Sequence, residues 1–595
     1  MKEKKNRKPM GRGGSLLVSL LITAAVGFVY FYVSLPAINP QSGDFYSFLA
    51  LLCVVYTVSI FALSVKPADD SVVRTPKEKL KEWFQFVKKS CLPVLILFAA
   101  IIVVSVVGQI ISMPIFRAAA YRELLTVQTG DFAADVAQIS FNEIPTLDRD
   151  SANYLGDRQM GTLSDMVSQF EYSNDSTQIN YQGRPVRVAP IAYADLIKWF
   201  TNRGNGLPAY VVVDMVTQEA KVVRLTEGIK YSFSEPLNRN IMRHLRFQYP
   251  TMMFATPEFE IDETGHPWWI APRVVKRIGL FGGMDIQGAV LVDAVTGEST
   301  YHEEVPNWVD TLYVPDLIMQ QYDYYGTLVH GFINSVLGQR DVTQTTSGYN
   351  YIAMNDDVYA YTGVTSANAD QSNLGFLLCN MRTKETHFYT APGATEYAAM
   401  ASAQGVVQDL GYTATFPLLL NIAGEPTYFI PLKDATNLVK TYAMVNVAQY
   451  QIVATGTTVS ACEQSYIQML RDKGVTQTEQ LPQTEATGKV AEIRTAVIEG
   501  NSFYFIRLEG EQVFYSLSAA QNREVVTLNI GDTVTIEHAV PGENSSSSIL
   551  DGYTLTIQSR SSSPLSSYYP LFPEPINPAD GDYQTSPAQR ENTVN

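Results

Sequence analysis

The side chains best suited to metal binding or proton transfer are six histidines, His244, His266, His302, His330, His387 and His538, and their spacing argues against both roles. No two stand at the i, i+4 separation that presents a zinc pair on a helix, and there is no Cys-x-x-Cys. His302-Glu303-Glu304 brings an imidazole beside two carboxylates, but at a hairpin end, where solvated charge is the ordinary role. His266 falls in the turn of ETGHPWW. A Walker loop, a dinucleotide fingerprint and a G-x-S-x-G elbow are missing, and Gly282-Gly283 reads as a turn or bulge. Asp293 and Glu298 recur as Asp214 and Glu219, a spacing suited to Asx turns at hairpin ends. The expectation is a chain with no catalytic residues, no metal and no cofactor, and hence not an enzyme.

Aromatic pairs offer binding chemistry instead. Trp268 with Trp269, and Tyr428 with Phe429, each follow a Gly-x-Pro turn, in DETGHPWWIAP and NIAGEPTYFIP. Neighbours in a strand point to opposite faces, so one ring of each pair is expected at the surface as a partner-binding platform. Of the four cysteines, Cys53 and Cys91 fall in or beside apolar runs. Cys379 and Cys462 lie beyond them and leave one disulfide open, although Cys379 reads as a core strand residue.

The elements that must position these residues begin with three uncharged apolar runs, Ser15 to Leu35, Phe45 to Val65 and Pro93 to Met113. Each is long enough to span a bilayer. Six lysines and arginines precede the first run, none separates the first two, and seven lie between the second and third. The positive-inside rule then predicts a cytoplasmic N-terminus, a cytoplasmic second link and a cell-membrane protein with the bulk of its chain extracytoplasmic. In that second link Leu80, Trp83, Phe84 and Val87 follow helical spacing beside lysines, the pattern of an amphipathic helix lying in the headgroup region.

Beyond the spans, helical stretches alternate with hairpins. VVVDMVTQEAKVV from Val211, VLVDAVTGESTYH from Val290 and LLCNMRTKETHFY from Leu377 share one pattern. Gly265, Pro267 and Pro272 match Gly424, Pro426 and Pro431 at a constant offset. Such recurrence predicts one helix-plus-antiparallel-sheet unit used in tandem. The segment Val292, Asp293, Ala294, Thr296, Gly297 and Glu298 resembles the closing hairpin of PepSY domains. That resemblance implies an extracytoplasmic, non-enzymatic module that in some cases modulates peptidases; Gln218 and Lys384 depart from the glycine of the pattern. The strands KVAEIRTAVI, SFYFIRLE, QVFYSLS, VVTLNIGDTVTIEHA and YTLTIQSR, with the turn Gly531-Asp532, predict a small OB-like barrel.

The expected fold is thus a membrane-anchored α+β chain: a basic cytoplasmic N-terminus over 1–14, three transmembrane helices over 15–113 with the amphipathic link at 66–92, and a linking segment over 114–189. Tandem α+β repeats follow over 190–475, then a linker over 476–487, the OB-like β-barrel over 488–560 and a disordered Ser/Pro-rich tail over 561–595. The 595 residues are 46% hydrophobic and 17% charged, too apolar for a disordered chain, and the net charge of −16 disfavours nucleic acid as a partner. The function expected is a non-enzymatic cell-envelope binding or scaffolding protein, whose partners are membrane lipid and an envelope protein or wall component. A regulatory subunit of a membrane protease or transporter is the first alternative, and a membrane-anchored hydrolase the second.

Overall fold

The computed structural model describes residues 12–64, 76–136, 144–354, 356–367, 372–475, 483–498, 501–519, 522–539 and 549–561. The chain divides between Glu479 and Gln480 into two compact units.

In the first unit the uncharged runs form α1 (Arg12–Ser34), α2 (Gly43–Ser64) and α3 (Pro76–Ile111). All three are long and apolar enough to cross a membrane, and they expose leucines, valines and phenylalanines that need lipid rather than water around them. This is a membrane protein. Nothing between Lys88 and Leu92 stops a helix, and Pro93 is absorbed, so α3 runs through 36 residues. The stretch expected to lie along the headgroups is therefore the first part of the third span helix. Trp83 Nε1 donates to Ser64 Oγ at 2.8 Å and its ring meets Phe61 edge-on, which holds that stretch against the end of α2. Most of the basic residues used to orient the spans, at 1–11 and 65–75, lie outside the described residues, as does the tail beyond 561.

After α4 (Pro114–Arg122), β1 (Val127–Gly130) and α5 (Phe132–Asp135) come four sheets. The first contains α6 (Arg149–Gly161), β2 (Phe170–Tyr172), β3 (Thr177–Tyr181), β4 (Arg184–Tyr193), α7 (Leu196–Asn202), β5 (Leu207–Asp214) and β6 (Ala220–Ile229). The second contains α8 (Ile241–Gln248), β7 (Met253–Phe254), β8 (Glu258–Ile261), β9 (Pro267–Ile278), β10 (Gly282–Asp293) and β11 (Ser299–His302). The third contains α9 (Pro315–Thr327), α10 (Gly331–Ile333), β12 (Thr343–Thr345), β13 (Asn350–Met354), β14 (Asp357–Ser366), β15 (Ser372–Asn380) and β16 (Thr386–Ala394), with β1 as a parallel edge on β16. The fourth contains α11 (Glu396–Val406), β17 (Thr413–Ala414), β18 (Leu418–Ile422), β19 (Glu425–Lys433), β20 (Val439–Asn446) and β21 (Val453–Gly456), followed by α12 (Val459–Asp472).

One wiring serves all four. A helix leads in, and the third strand pairs with the second along its first half and with the first along its second half. The fourth and fifth strands then add in order. The fourth strand always ends on Asp or Asn: Asp214, Asp293, Asn380 and Asn446. In the first three the side-chain Oδ1 accepts the backbone N–H groups two and three residues on, as the hairpin spacing predicts. Gln218 and Lys384 adopt the left-handed conformation of Gly297, at φ 61° and 67° against 78°.

The segment 114–189, expected to be a linker, supplies the helix and first three strands of the first sheet. Its strand Thr177–Tyr181 buries Thr177 and Gln178, so apolar alternation is missing from a strand that is nonetheless interior. The first two sheets share a core around Ile179, Val211, Phe259, Trp269 and Val290.

The spans are bonded to the second sheet at two places. From α8, Arg243 Nε donates to Tyr32 O at 3.0 Å and Arg246 Nε to Leu35 O at 2.9 Å, at the C-terminal end of α1. At the end of α3, Ser112 Oγ accepts the N–H groups of Leu280 and Phe281 in the β9–β10 turn, both at 3.0 Å.

The second unit is a closed barrel of β22 (Gln483–Ile498), β23 (Asn501–Leu508), β24 (Phe514–Ser518), β25 (Thr533–Ala539) and β26 (Ile549–Ser559), in the order β22-β23-β24-β26-β25. The β24–β26 pair is parallel and the others antiparallel. The barrel begins at Gln483, inside the expected linker, because β22 is long enough to pair with β25 before turning to β23. Gly531-Asp532 precedes β25, and Asp532 accepts Asn529 N and Ser561 N.

Gly108 of α3 sits against the β9–β10 turn, where a Cβ would lie 2.6 Å from the Phe281 ring. Gly108→Val is expected to lower the unfolding midpoint of the detergent-solubilised chain, at a cost of about 1–3 kcal/mol. Combining it with Phe281→Ala should cost less than the two single changes added together, which a double-mutant cycle reads directly.

Candidate functional site

A cavity of about 850 Å³ opens among the first three sheets, Phe416 of the fourth and the α1–α2 link. At one end stand Gln41 and Ser42 of that link and Asp44 of α2, with Arg246 and Lys276; at the other stand Arg149, Arg187, Glu258 and Tyr351.

Arg187 defines the deep end. It occupies an inward position of β4 between Val186 and Val188 and is only 4% exposed. Its Nη1 donates to Ser176 O at 3.1 Å and its Nη2 to Gln178 Oε1 at 3.3 Å, while Nε has no partner. Gln178 Nε2, also buried, has none either. Among the described residues no carboxylate lies within ion-pair distance of this guanidinium. Burial depresses its pKa, as expected for a cation held away from water without a counter-charge. Glu258, close enough to be felt electrostatically, accepts Thr177 Oγ1 at 3.0 Å, and burial raises its carboxyl above the usual range.

Arg246, at the other end, is satisfied by carbonyls alone. Besides Leu35 O it reaches Met252 O at 2.5 Å, and burial pushes its pKa down to about 10. Lys276 is half-buried, and burial lowers its pKa as well.

Behind Thr311, two buried carboxylates stitch the elements together. Glu260 accepts the backbone N–H groups of Asp310 and Thr311 at 3.0 and 2.9 Å, and Asp310 accepts Asn180 N at 2.6 Å. Burial raises both pKa values, and the proximity of Glu260 raises Asp310 further. Among the described residues no group of three or more His, Cys, Asp or Glu could hold a metal ion.

The aromatic pairs singled out from the sequence lie elsewhere, and three of the four rings are core. Trp269 is enclosed, with Nε1 donating to Tyr231 O at 2.8 Å and the ring edge-on to Phe233 and Phe259. Tyr428 is enclosed and donates to Ala394 O at 2.9 Å; Phe429 is enclosed and stacked on Tyr442. Trp268 is half-buried, its Nε1 on Asp262 and its ring between His266 and Trp308. The expected exposure fails for Tyr428–Phe429 because β19 is an interior strand covered on both faces there, while β9 leaves Trp268 only half-buried. The pair Tyr428–Phe429 therefore presents no ring to a partner.

His266 contacts Asp293 at 3.2 Å across the strands. All four cysteines are free and buried, and burial pushes the Cys379 thiol up to about 12. Arg187, which sequence reasoning missed, did leave a signal: a lone arginine inside the apolar run Val186–Tyr193.

No protein-family model matches this chain, and no curated protein does.

The Glu260–Asp310 pair gives stability a pH dependence. Carboxyls whose folded pKa is raised, here to about 8 for Glu260 and about 9 for Asp310, hold protons that the unfolded chain releases, so stability falls as pH rises from about 4 through those values. Asp310→Asn keeps the acceptor for Asn180 N and removes one of the two titrating carboxyls. Unfolding midpoints measured from pH 5 to 9, on the order of four pH units across that window, should fall less steeply in this variant than in the parent chain.

Proposed function

We propose that this chain is a non-enzymatic, membrane-anchored binding protein of the cell envelope, with its sheets and barrel outside the membrane and its N-terminus in the cytoplasm. The observation that carries the reading is the cavity with Arg187 at its deep end. A guanidinium enclosed in protein is stabilised by a carboxylate or phosphate in fork geometry. Here protein carbonyl and amide groups take part of it, and Nε faces no partner. The ligand we assign to the cavity therefore bears an oxyanion, with Arg187 as its anchor and Arg149 as a second cation beside it.

The recurring Asx-ended hairpins support reading the four sheets as tandem PepSY-like units, and the barrel's strand order with its single parallel pair supports an OB-like fold. The lysine and arginine distribution supports the orientation. Cysteines introduced at Lys77 and Glu263, both exposed, test it in intact cells. An impermeant maleimide should label only Glu263→Cys, and labelling of Lys77→Cys alone reverses the topology.

The cavity is tested on the full chain in lipid nanodiscs. Inorganic phosphate, glycerol 3-phosphate and acetate are titrated separately while the unfolding midpoint is followed. A ligand at about 100 times its Kd should add about 2.7 kcal/mol of stability. At least one probe should raise the midpoint in a saturable way, and Arg187→Met, which keeps the side-chain length, should abolish the shift while remaining folded. An equal response from Arg187→Met, or no response to any of the three probes, rejects the oxyanion site.

A further inference from the structure

The apolar surface of the sheet body is unevenly distributed. Outside α1–α3, six large apolar side chains of the first unit's described residues are between 62% and 80% exposed: Phe116, Leu196, Ile197, Phe200, Ile333 and Leu337. None of the others there exceeds 59%. A soluble surface scatters such residues singly, whereas these fall on three short segments.

Each segment is tied to the end of a span. Leu196, Ile197 and Phe200 share one face of α7, and Trp199 fixes the other face by donating to Glu235 at 2.7 Å. The end of α7 connects to α1 through Arg239, which donates to Arg203 O at 2.7 Å, and its neighbour Asn238, which accepts Tyr32 OH at 2.9 Å. Phe116 belongs to α4, which starts at Pro114, directly after α3 ends at Ile111. Ile333 and Leu337 stand four residues apart across α10 and the helical turn Asn334–Gly338 that continues it. Between them and α4, Phe332 packs in one cluster with Ala118, Ala120 and Tyr121. Arginines accompany both patches: Arg203 lies 4.6 Å over the Phe200 ring, and Arg340 follows the second patch with its side chain 82% exposed. Apolar residues flanked by basic side chains match the boundary between acyl chains and headgroups.

We propose that α7 and the Phe116–Ile333–Leu337 patch are two feet that dip into the leaflet entered by the body-side ends of the spans. The sheet body then lies on a glycerophospholipid surface, astride α1 and α3, instead of standing clear of it. The occupant is lipid because α4 directly follows α3 and the end of α7 is bonded through Arg239 and Asn238 to α1, and both spans expose apolar side chains.

The test uses the full chain in phosphatidylcholine–phosphatidylglycerol nanodiscs. The native cysteines are all buried, so Ile197→Cys, Leu337→Cys and, as a control, Ala435→Cys in an exposed turn of the fourth sheet can each carry an environment-sensitive NBD label. At Ile197 and Leu337 the emission should shift to the blue and be quenched by doxyl-labelled lipid, while Ala435 stays water-like and unquenched. Water-like emission at either foot overturns the proposal. A blue shift without lipid quenching also overturns it, because it assigns the patches to contact with a second copy of the chain.

Discussion

At the body-side end of α1 the last helical carbonyls carry the negative pole of the helix dipole, with no following turn to supply N–H groups. Arg243 and Arg246 of α8 supply them, at Tyr32 O and Leu35 O. Arg243 also lies 4.2 Å over the Tyr32 ring, and Ile38 N donates to Pro250 O just beyond. Charge-assisted bonds of this kind contribute about 1.5–3 kcal/mol each, and here they tie the end of α1 to the helix that leads into the second sheet. The α1–α2 link, which lines one end of the cavity, starts from that junction.

From it the remaining sheets follow by packing. The first sheet completes its core against the second around Trp269, and the buried carboxylates Glu260 and Asp310 join β8 to β3 through backbone amides. The cavity is what remains where these sheets and the third converge. Its charged lining is hard to explain as packing. Apolar side chains would stabilise the same space, whereas Arg187 retains an unpaired donor in an enclosed setting.

Much of the frame could be read from the residues. The spans follow from uncharged length, the recurring hairpins from Asp214, Asp293 and Asn380, and the barrel from five short strands. Reading failed wherever polar residues were interior. Thr177, Gln178 and Arg187 break the alternation that marks a strand, so the sequence shows the first strands of the first sheet only as part of a linking segment over 114–189, and the lone Arg187 does not by itself mark a site. The pair Tyr428–Phe429 misleads for the opposite reason: period-two alternation puts one ring outside only when a strand has a free face, and β19 has none there, whereas β9 leaves Trp268 half-buried.

The length of α3 has a mechanical consequence. At 1.5 Å per residue a helix of 36 residues reaches ~54 Å, against about 30 Å of bilayer hydrocarbon. One end is gripped by the β9–β10 turn through Ser112 and Gly108, and near the other Trp83 leans on the end of α2. Such a beam, held at one tip and resting near the other, acts as a lever. A sideways shift of the hairpin tip by a fraction of an ångström becomes a change of tilt, and the far end swings in the opposite sense. The sheets and the far end of α3 are thus linked through one continuous helix, with Pro93 near its middle, lacking an N–H for the helical ladder, as a point where it can bend.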